Sequence, residues 1–198
     1  IYLSAHPLDE YSVVLEHVCN THMAELEDKA ALVGREITMG GIVTSVRRGI
    51  SKNGNPYGIA KIEDYSGSAE LPFFGNDWVS YLGERTFLYI KARCQPKQWR
   101  QDELELKITS MELLPDVKEK LIEKITILIP LSVLNKALIT ELSELTKARP
   151  GTTELYFRVT DPDSRMTVDL VSRPVKLSVG RELISYLKER PELDFRIN

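Results

Sequence analysis

Two short clusters of basic and aromatic residues are the part of this sequence best suited to binding chemistry. They consist of Arg47, Arg48, Lys52, Asn53 and Tyr57, and of Lys97, Trp99 and Arg100. Basic groups attract phosphate in a salt-dependent way, and an exposed ring offers a nucleobase a surface to stack on. The clusters predict a site for single-stranded nucleic acid. The alternative is a pair of solvated loops, with Trp99 resting on its own domain.

Phe74 is a further candidate for base stacking, and its orientation depends on the strand around it. Strict alternation in "SAELPFFG" places Phe73 inside and Phe74 outside. A bulge near Pro72 would exchange the two rings, so both orientations remain open. Tyr57, which directly follows a turn, is the stronger stacking candidate, and Tyr65 is assigned to packing in a turn.

Metal and catalytic sites are less well supported. His17, Cys19 and His22 lie close in sequence, but structural zinc takes four ligands, usually from two separated pairs. The other histidine is His6, and Cys94 falls in a predicted strand. The sequence also has no phosphate-binding glycine loop and no convincing Ser/His/Asp set. We therefore expect no metal, no cofactor and no catalysis in this chain.

Composition limits the function classes further. The 198 residues are 42% apolar and 28% charged with a net charge of −3, which is typical of a soluble globular protein. No apolar run approaches the roughly 20 residues that cross a bilayer, and two cysteines suit a reducing cytoplasm. Residues 36–113 carry ten basic and ten acidic side chains. This balance argues against a strongly basic nucleic-acid binder, so any binding should be weak and salt-dependent.

The candidate residues lie in a segment that alternates short strands with turn signals. Residues 35–114 contain five predicted strands, with one short helix between the third and fourth. Asn53-Gly54 is a strong hairpin signal, and Gly40-Gly41 marks a bend or bulge. This order predicts a small closed barrel of the oligonucleotide/oligosaccharide-binding (OB) type, a β domain whose first and last hairpin loops flank a cleft.

The flanking segments have a different pattern of predicted secondary structure. Residues 1–34 form one helix and a connector, which we expect to belong to a preceding domain, because the chain begins at Ile1 like an excised fragment. Residues 115–198 read as β-α-β-β-α-β, a small α+β domain whose first helix is predicted to be capped by Ser132. The predicted fold class is therefore β and α+β.

Several phrases resemble the alpha subunits of bacterial DNA polymerase III. In "GIAKIEDYSG", Ile59 and Ile62 stand three apart before an acidic residue and a Ser-Gly turn, which implies a bulged second strand. Similar phrases also occur in OB domains of some aminoacyl-tRNA synthetases. Four other stretches resemble the polymerase family: "YLSAHPLDEY", "GIVTSVRRGISKNGNPYG", "SYLGER" and "VKLSVGRELISYL". Their order covers essentially the whole chain.

This resemblance implies a role in DNA replication. Residues 35–114 would contact single-stranded template DNA, and residues 115–198 would dock the clamp-loader tau subunit. Apart from the resemblance, we expect residues 181–198 to form the docking surface, because a chain end is free to reach a partner. The rest of the polymerase chain would be a further partner, and it would carry the nucleotidyltransferase active site of a cytoplasmic DNA-directed DNA polymerase. A tRNA anticodon-binding domain and a pure protein-interaction module remain alternatives.

Overall fold

The computed structural model describes residues 6–198, which form two compact units. The first unit contains the residues up to Tyr11 together with Cys19–Val117, and the second contains Ser12–Val18 and Lys118–Asn198. Within the described part of the chain, none of the helices has both the length and the apolar character needed to cross a membrane.

The described residues include nine strands. They are β1 (Glu36–Ile50), β2 (Pro56–Glu63), β3 (Ser68–Phe74), β4 (Phe87–Lys97), β5 (Arg100–Leu113), β6 (Lys124–Pro130), β7 (Pro150–Asp161), β8 (Met166–Leu177) and β9 (Asp194–Ile197).

The helices are short, and most connect strands. They are α1 (Ser12–His17), α2 (Lys29–Leu32), α3 (Asn76–Tyr81), α4 (Leu114–Leu121), α5 (Lys136–Ala148) and α6 (Arg181–Lys188). Three further 3-10 turns cover Asp9–Tyr11, Met23–Glu27 and Leu131–Val133.

The first unit is built on a five-stranded antiparallel sheet in the order β3-β2-β1-β4-β5, with α3 between the third and fourth strands. The predicted OB-like order of elements is confirmed. The sheet is more open than predicted, because β3 and β5 are its two edges and do not pair with each other. Such a partly open barrel is a known form of the OB fold.

Strand β1 joins the two halves of this sheet. Its first half pairs with β4 and its second half with β2, and Thr44 forms a bulge where Val43 and Ser45 face Ile62 and Lys61. The prediction of a bulged second strand is therefore wrong. Strand β2 alternates regularly, so Ile62 is buried while Ile59 is partly exposed.

Gly40 and Gly41 pair in regular register with β4, so the predicted irregularity lies a few residues further along the strand. Gly41 is needed for a different reason, which is the close approach of a neighbouring strand. A Cβ at this position would lie 2.4 Å from the carbonyl oxygen of Glu63. The absence of a side chain therefore lets β1 curve tightly against β2.

The turn after β2 is fixed by Asp64, the acidic residue of the phrase that carries the family resemblance. Its carboxylate is 4% exposed. One oxygen accepts hydrogen bonds from the backbone N–H and hydroxyl of Ser66 and from the Gly67 N–H. The other oxygen accepts from the Met23 N–H at 2.9 Å. Asp64 therefore ties the 3-10 turn Met23–Glu27 to the β2–β3 connection.

The second unit contains a four-stranded sheet in the order β8-β7-β6-β9. Strands β6 and β7 run parallel, joined by α5, and the other neighbours are antiparallel. The predicted β-α-β-β-α-β order is confirmed. Helix α5 begins later than predicted, because Asn135 and not Ser132 caps it, accepting a hydrogen bond from the Leu138 N–H.

Candidate nucleic-acid interface

Alternation along β2 and β3 creates a partly exposed face on the first unit. We call it the outer face. Its cross-strand pairs are Tyr57 with Phe74, Ile59 with Pro72, and Lys61 with Glu70. The intervening side chains point inward, where Ala60, Ile62, Leu71 and Phe73 are buried in the core.

The orientation of Phe74 is settled by the register of β3. Pairing continues without a shift past Pro72, so the two phenylalanines point to opposite sides. Phe73 is 0% exposed, and Phe74 is 67% exposed. The sequence left two orientations open. The structure has the one in which the Phe74 ring points outward and is available for stacking.

Tyr57 lies beside Phe74 because a glycine makes room for its ring. Gly49 faces Tyr57 across the β1–β2 ladder, and a Cβ on Gly49 would lie 2.6 Å from the ring. The Tyr57 and Phe74 rings are 6.5 Å apart with an interplanar angle of 41°. Two neighbouring rings on an open sheet surface can stack with bases of any identity.

Arg47 and Arg48 point to opposite sides of β1. The Arg47 guanidinium lies on the outer face and donates to both carboxylate oxygens of Glu70, at 3.0 and 2.9 Å. The Arg48 guanidinium instead donates to the carbonyl oxygen of Leu82, just beyond α3. The structure therefore brings Arg47 to the aromatic pair and separates Arg48 from it.

Lys52 and Asn53 lie at the exposed turn between β1 and β2. The predicted hairpin turn is confirmed, with Gly54 at a φ of 80° and a hydrogen bond from the Ser51 N–H to the Asn55 carbonyl. Within the described part of the chain, Lys52 forms no ion pair. Its ammonium is available to a phosphate approaching this end of the outer face.

The second predicted cluster lies at the tip of the β4–β5 hairpin. Lys97 pairs with Arg100 across a two-residue loop, and Trp99 is 90% exposed. The Glu103 carboxylate accepts from the Lys97 ammonium at 2.5 Å and from the Arg100 guanidinium at 2.7 Å. Hydrogen bonds from these two cations lower the pKa of Glu103, which therefore stays ionised at neutral pH.

Two cavities of the first unit lie between this hairpin and the outer face. One cavity of about 610 Å³ is lined by Glu70 and Phe74 from β3 and by Lys97 from β4. Another, of about 800 Å³, is lined by Phe74 and Gln98. Both lie along the gap between the unpaired edges of β3 and β5. Phe74 and Lys97 therefore line one groove.

Sequence reasoning did not identify all of these residues. Ile59 and Lys61 belong to the outer face, and counting every second residue from Tyr57 would have found them. Glu70 and Glu103 neutralise predicted cations, but Glu70 is distant from Arg47 in sequence, and no local signal pairs them. Among residues 6–198, no three His, Cys, Asp or Glu side chains gather in a way that would hold a metal ion.

The second unit presents a different kind of surface on β8, an edge strand. Met166, Val168 and Leu170 alternate along it and are 63%, 48% and 50% exposed. The nearby Asp169 carboxylate is paired with the Arg158 guanidinium at 2.7 and 2.9 Å. An exposed apolar row on a strand edge is typical of a surface that another chain covers.

Comparisons with known proteins point to one family. Residues 125–198 match the family model described as DNA polymerase III alpha subunit, C-terminal domain. The DNA polymerase III subunit alpha of Saccharopolyspora erythraea is 27% identical over 171 residues, covering 82% of this chain and 14% of that protein. That of Mycobacterium tuberculosis is 25% identical over 193 residues, covering 96% and 16%. That of Haemophilus influenzae is 34% identical over 85 residues, covering 43% and 7%. The chain thus spans less than a fifth of each of these relatives.

Proposed function

Because this chain belongs to the family of DNA polymerase III alpha subunits and corresponds to their C-terminal region, we propose that its first unit contacts single-stranded DNA during replication. The supporting observation is the outer face, where Tyr57 and Phe74 lie beside Arg47. Stacking and phosphate contacts of this kind tolerate any base sequence. The whole protein would be a DNA-directed DNA polymerase whose nucleotidyl transfer takes place outside residues 1–198.

The contact should be weak, because few cations converge on the groove. Fluorescence anisotropy with labelled oligonucleotides of mixed sequence tests this proposal across a range of salt concentrations. We expect single strands to bind more tightly than duplexes of the same length, with affinity falling as salt rises. Tighter binding to duplex, or no binding at low salt, would contradict the proposal.

For the second unit, we propose docking of the clamp-loader tau subunit. The family resemblance suggests this partner, and the exposed row of Met166, Val168 and Leu170 offers an apolar surface for it. Covering such a row would remove apolar area from water and supply partners for the free edge of β8. The sequence-based choice of residues 181–198 remains a separate prediction for the docking surface.

A pull-down with purified tau separates these surfaces. The double variant Val168→Asp/Leu170→Asp should lose tau while keeping its circular dichroism spectrum. Thr167→Asp is the matched control, because it adds a charge to the opposite face of the same strand. Arg196→Glu tests the last strand. Retention of tau by all three variants would place docking elsewhere or reject it.

A further inference from the structure

Most cations proposed to contact DNA already hold an anionic partner within the same unit. Arg47 is paired with Glu70, and both Lys97 and Arg100 are paired with Glu103. On the outer face Lys61 lies 3.8 Å from Glu63. Within the described part of the chain, Lys52 is the one cation of the interface without an ion pair or a carbonyl partner.

We propose that Glu70 and Glu103 are internal competitors of DNA phosphate and thereby set the affinity of this interface. The inference rests on the proposed DNA contact. Each carboxylate presents two oxygens to the same N–H groups that a phosphate would bind, and Glu70 does so in bidentate geometry toward Arg47. A phosphate can take these donors when the carboxylate gives them up.

The positions of the carboxylates favour competition. Glu70 and Lys97 line the same cavity between the edges of β3 and β5, next to the exposed ring of Phe74. A strand of DNA stacked on Phe74 would carry its phosphates past both ion pairs. The two carboxylates would then repel the incoming phosphates as well as occupy the cations.

A positioning role for Glu103 is the main competing explanation, since it links both ends of the hairpin loop. The hairpin has its own support, however. The β4–β5 ladder runs from Leu88 opposite Leu113 to Lys97 opposite Arg100, so the backbone holds the loop without the carboxylate. Exposed ion pairs contribute little to stability. Removing Glu103 should therefore release its cations without dissolving the loop.

The consequence is a contact that forms and breaks quickly. Each bound phosphate only replaces a carboxylate as the partner of a cation, so it adds little net binding free energy. The affinity for DNA therefore stays low although the interface has several cations. Such a weak contact would let a single strand move along the first unit.

The test compares the 198-residue chain with three variants, each of which removes one negative charge. Glu70→Gln and Glu103→Gln remove the competitors. Glu105→Gln is the matched control for repulsion of phosphate, because Glu105 lines the same cavity as Glu70 and Lys97. It accepts a hydrogen bond from the Gln95 amide and forms no ion pair among the described residues, so it holds no cation that a phosphate would need. Affinity for a labelled single-stranded oligonucleotide is measured by anisotropy at several salt concentrations, with thermal melts confirming folding.

We expect Glu70→Gln and Glu103→Gln each to bind about two- to fivefold more tightly than the parent chain, the range that breaking an exposed ion pair allows. Their salt dependence should be steeper, because no carboxylate remains to recapture a cation. If the affinity of Glu105→Gln rose by the same factor, the effect would come from the loss of a negative charge and not from the release of paired cations. Weaker binding in Glu103→Gln would make that carboxylate a positioning residue.

The outcomes also separate this inference from the proposed function. If the parent chain binds and the two variants do not exceed it, the competition is rejected while DNA contact stands. If neither the parent chain nor any variant binds at low salt, both fail together. In the parent chain, the Arg47 and Arg100 side-chain N–H signals in NMR spectra should shift on DNA addition, as their partners exchange. Unchanged signals in a binding chain would reject competition at these residues.

Discussion

At the scale of single residues, the exposed ring of Phe74 provides the clearest test of stacking. We predict that Phe74→Ala lowers affinity for single-stranded DNA by about 1–3 kcal/mol, because a base loses its stacking surface. The dependence on salt should not change, since no phosphate contact is removed. Anisotropy titrations at several salt concentrations measure both quantities.

Tyr81→Ala is the matched control for this prediction. Tyr81 is also an exposed aromatic residue of the first unit, 60% exposed, but it lies in α3 and not on the outer face. An equal loss of affinity in both variants would mean that Phe74 acts through general packing and not through a base.

The thiol of Cys19 leads to a second residue-scale prediction. Burial, with a smaller contribution from the nearby Asp64 carboxylate, raises the pKa of Cys19 to about 12. Burial also raises the pKa of Cys94. Since the thiolate is the reactive form, native protein at pH 8 should react slowly with iodoacetamide at both positions, and unfolding in urea should restore the reaction. Mass spectrometry of the alkylated peptides measures this, and rapid labelling of native Cys19 would contradict it.

The sequence predicts those features of the site that depend on residues close together in the chain, and it does not predict those that depend on contacts between distant strands. Alternation around Pro72 predicted Phe73 inside and Phe74 outside, and only the chance of a bulge left the question open. The pairing of Arg47 with Glu70 depends on the register between distant strands, which alternation within one strand does not provide. Adjacency in the sequence groups Arg47 with Arg48, although adjacent residues of a strand point to opposite faces.

At the scale of elements, Asp64 joins two segments through one carboxylate. We predict that Asp64→Asn lowers the free energy of unfolding of the first unit by about 1–3 kcal/mol. An amide can still accept from Ser66 with its oxygen, but its NH₂ group would then face the Met23 N–H, and two donors repel. Urea denaturation measures the change.

Asp102→Asn is the control for this change, because Asp102 lies exposed near the tip of β5. It should leave the free energy of unfolding nearly unchanged. A similar loss in both variants would show that the effect comes from net charge and not from the hydrogen bonds of Asp64.

Element boundaries also show where local signals mislead. Ser132 is predicted as the cap of α5, because serine is a good capping residue directly before the apolar pattern of the helix. The chain from Leu131 to Val133 instead forms a 3-10 turn, so the helix starts at Lys136 and is capped by Asn135. The bulge predicted for β2 lies on β1 instead, because the three-residue spacing of Ile59 and Ile62 does not show that their side chains share a face.

At the scale of the whole molecule, the stability of the second unit should depend on pH through His17. Its ring packs against Phe195 and lies near Glu16 and Lys188. Burial, and then the charge of Lys188, lower the pKa of His17 below the ordinary 6.5, while Glu16 opposes this. The folded state therefore binds this proton less readily than the unfolded state. The contribution of His17 to the stability of the second unit is present in full above the ordinary pKa of histidine, and it is lost as pH falls below that value.

Thermal melts at pH 7.5 and 5.5 test this dependence. We expect the parent chain to melt at a lower temperature at pH 5.5 and His17→Gln to show a smaller difference between the two conditions. His22→Gln is a control, since it alters a histidine of the first unit. An unchanged pH dependence in His17→Gln would assign the effect to other groups.

The order of elements across both units was the most predictable property of the molecule, because each strand, turn and helix has its own local pattern. The open gap between β3 and β5 was not predictable in this way. Whether two distant edges pair depends on sheet curvature and on what fills the space between them. Here the gap includes the groove that Phe74 and Lys97 line.

The place of β6 between β7 and β9 has a consequence for synthesis on the ribosome. Ile125 of β6 pairs with Ile197 of β9, and the side chain of Asn198 bonds to backbone groups of Leu121 and Glu123. At roughly 5–20 residues per second, β6 emerges several seconds before this neighbour exists. Until then one side of a very apolar strand is uncovered. The nascent second unit therefore passes through a brief aggregation-prone interval before its last strand is made.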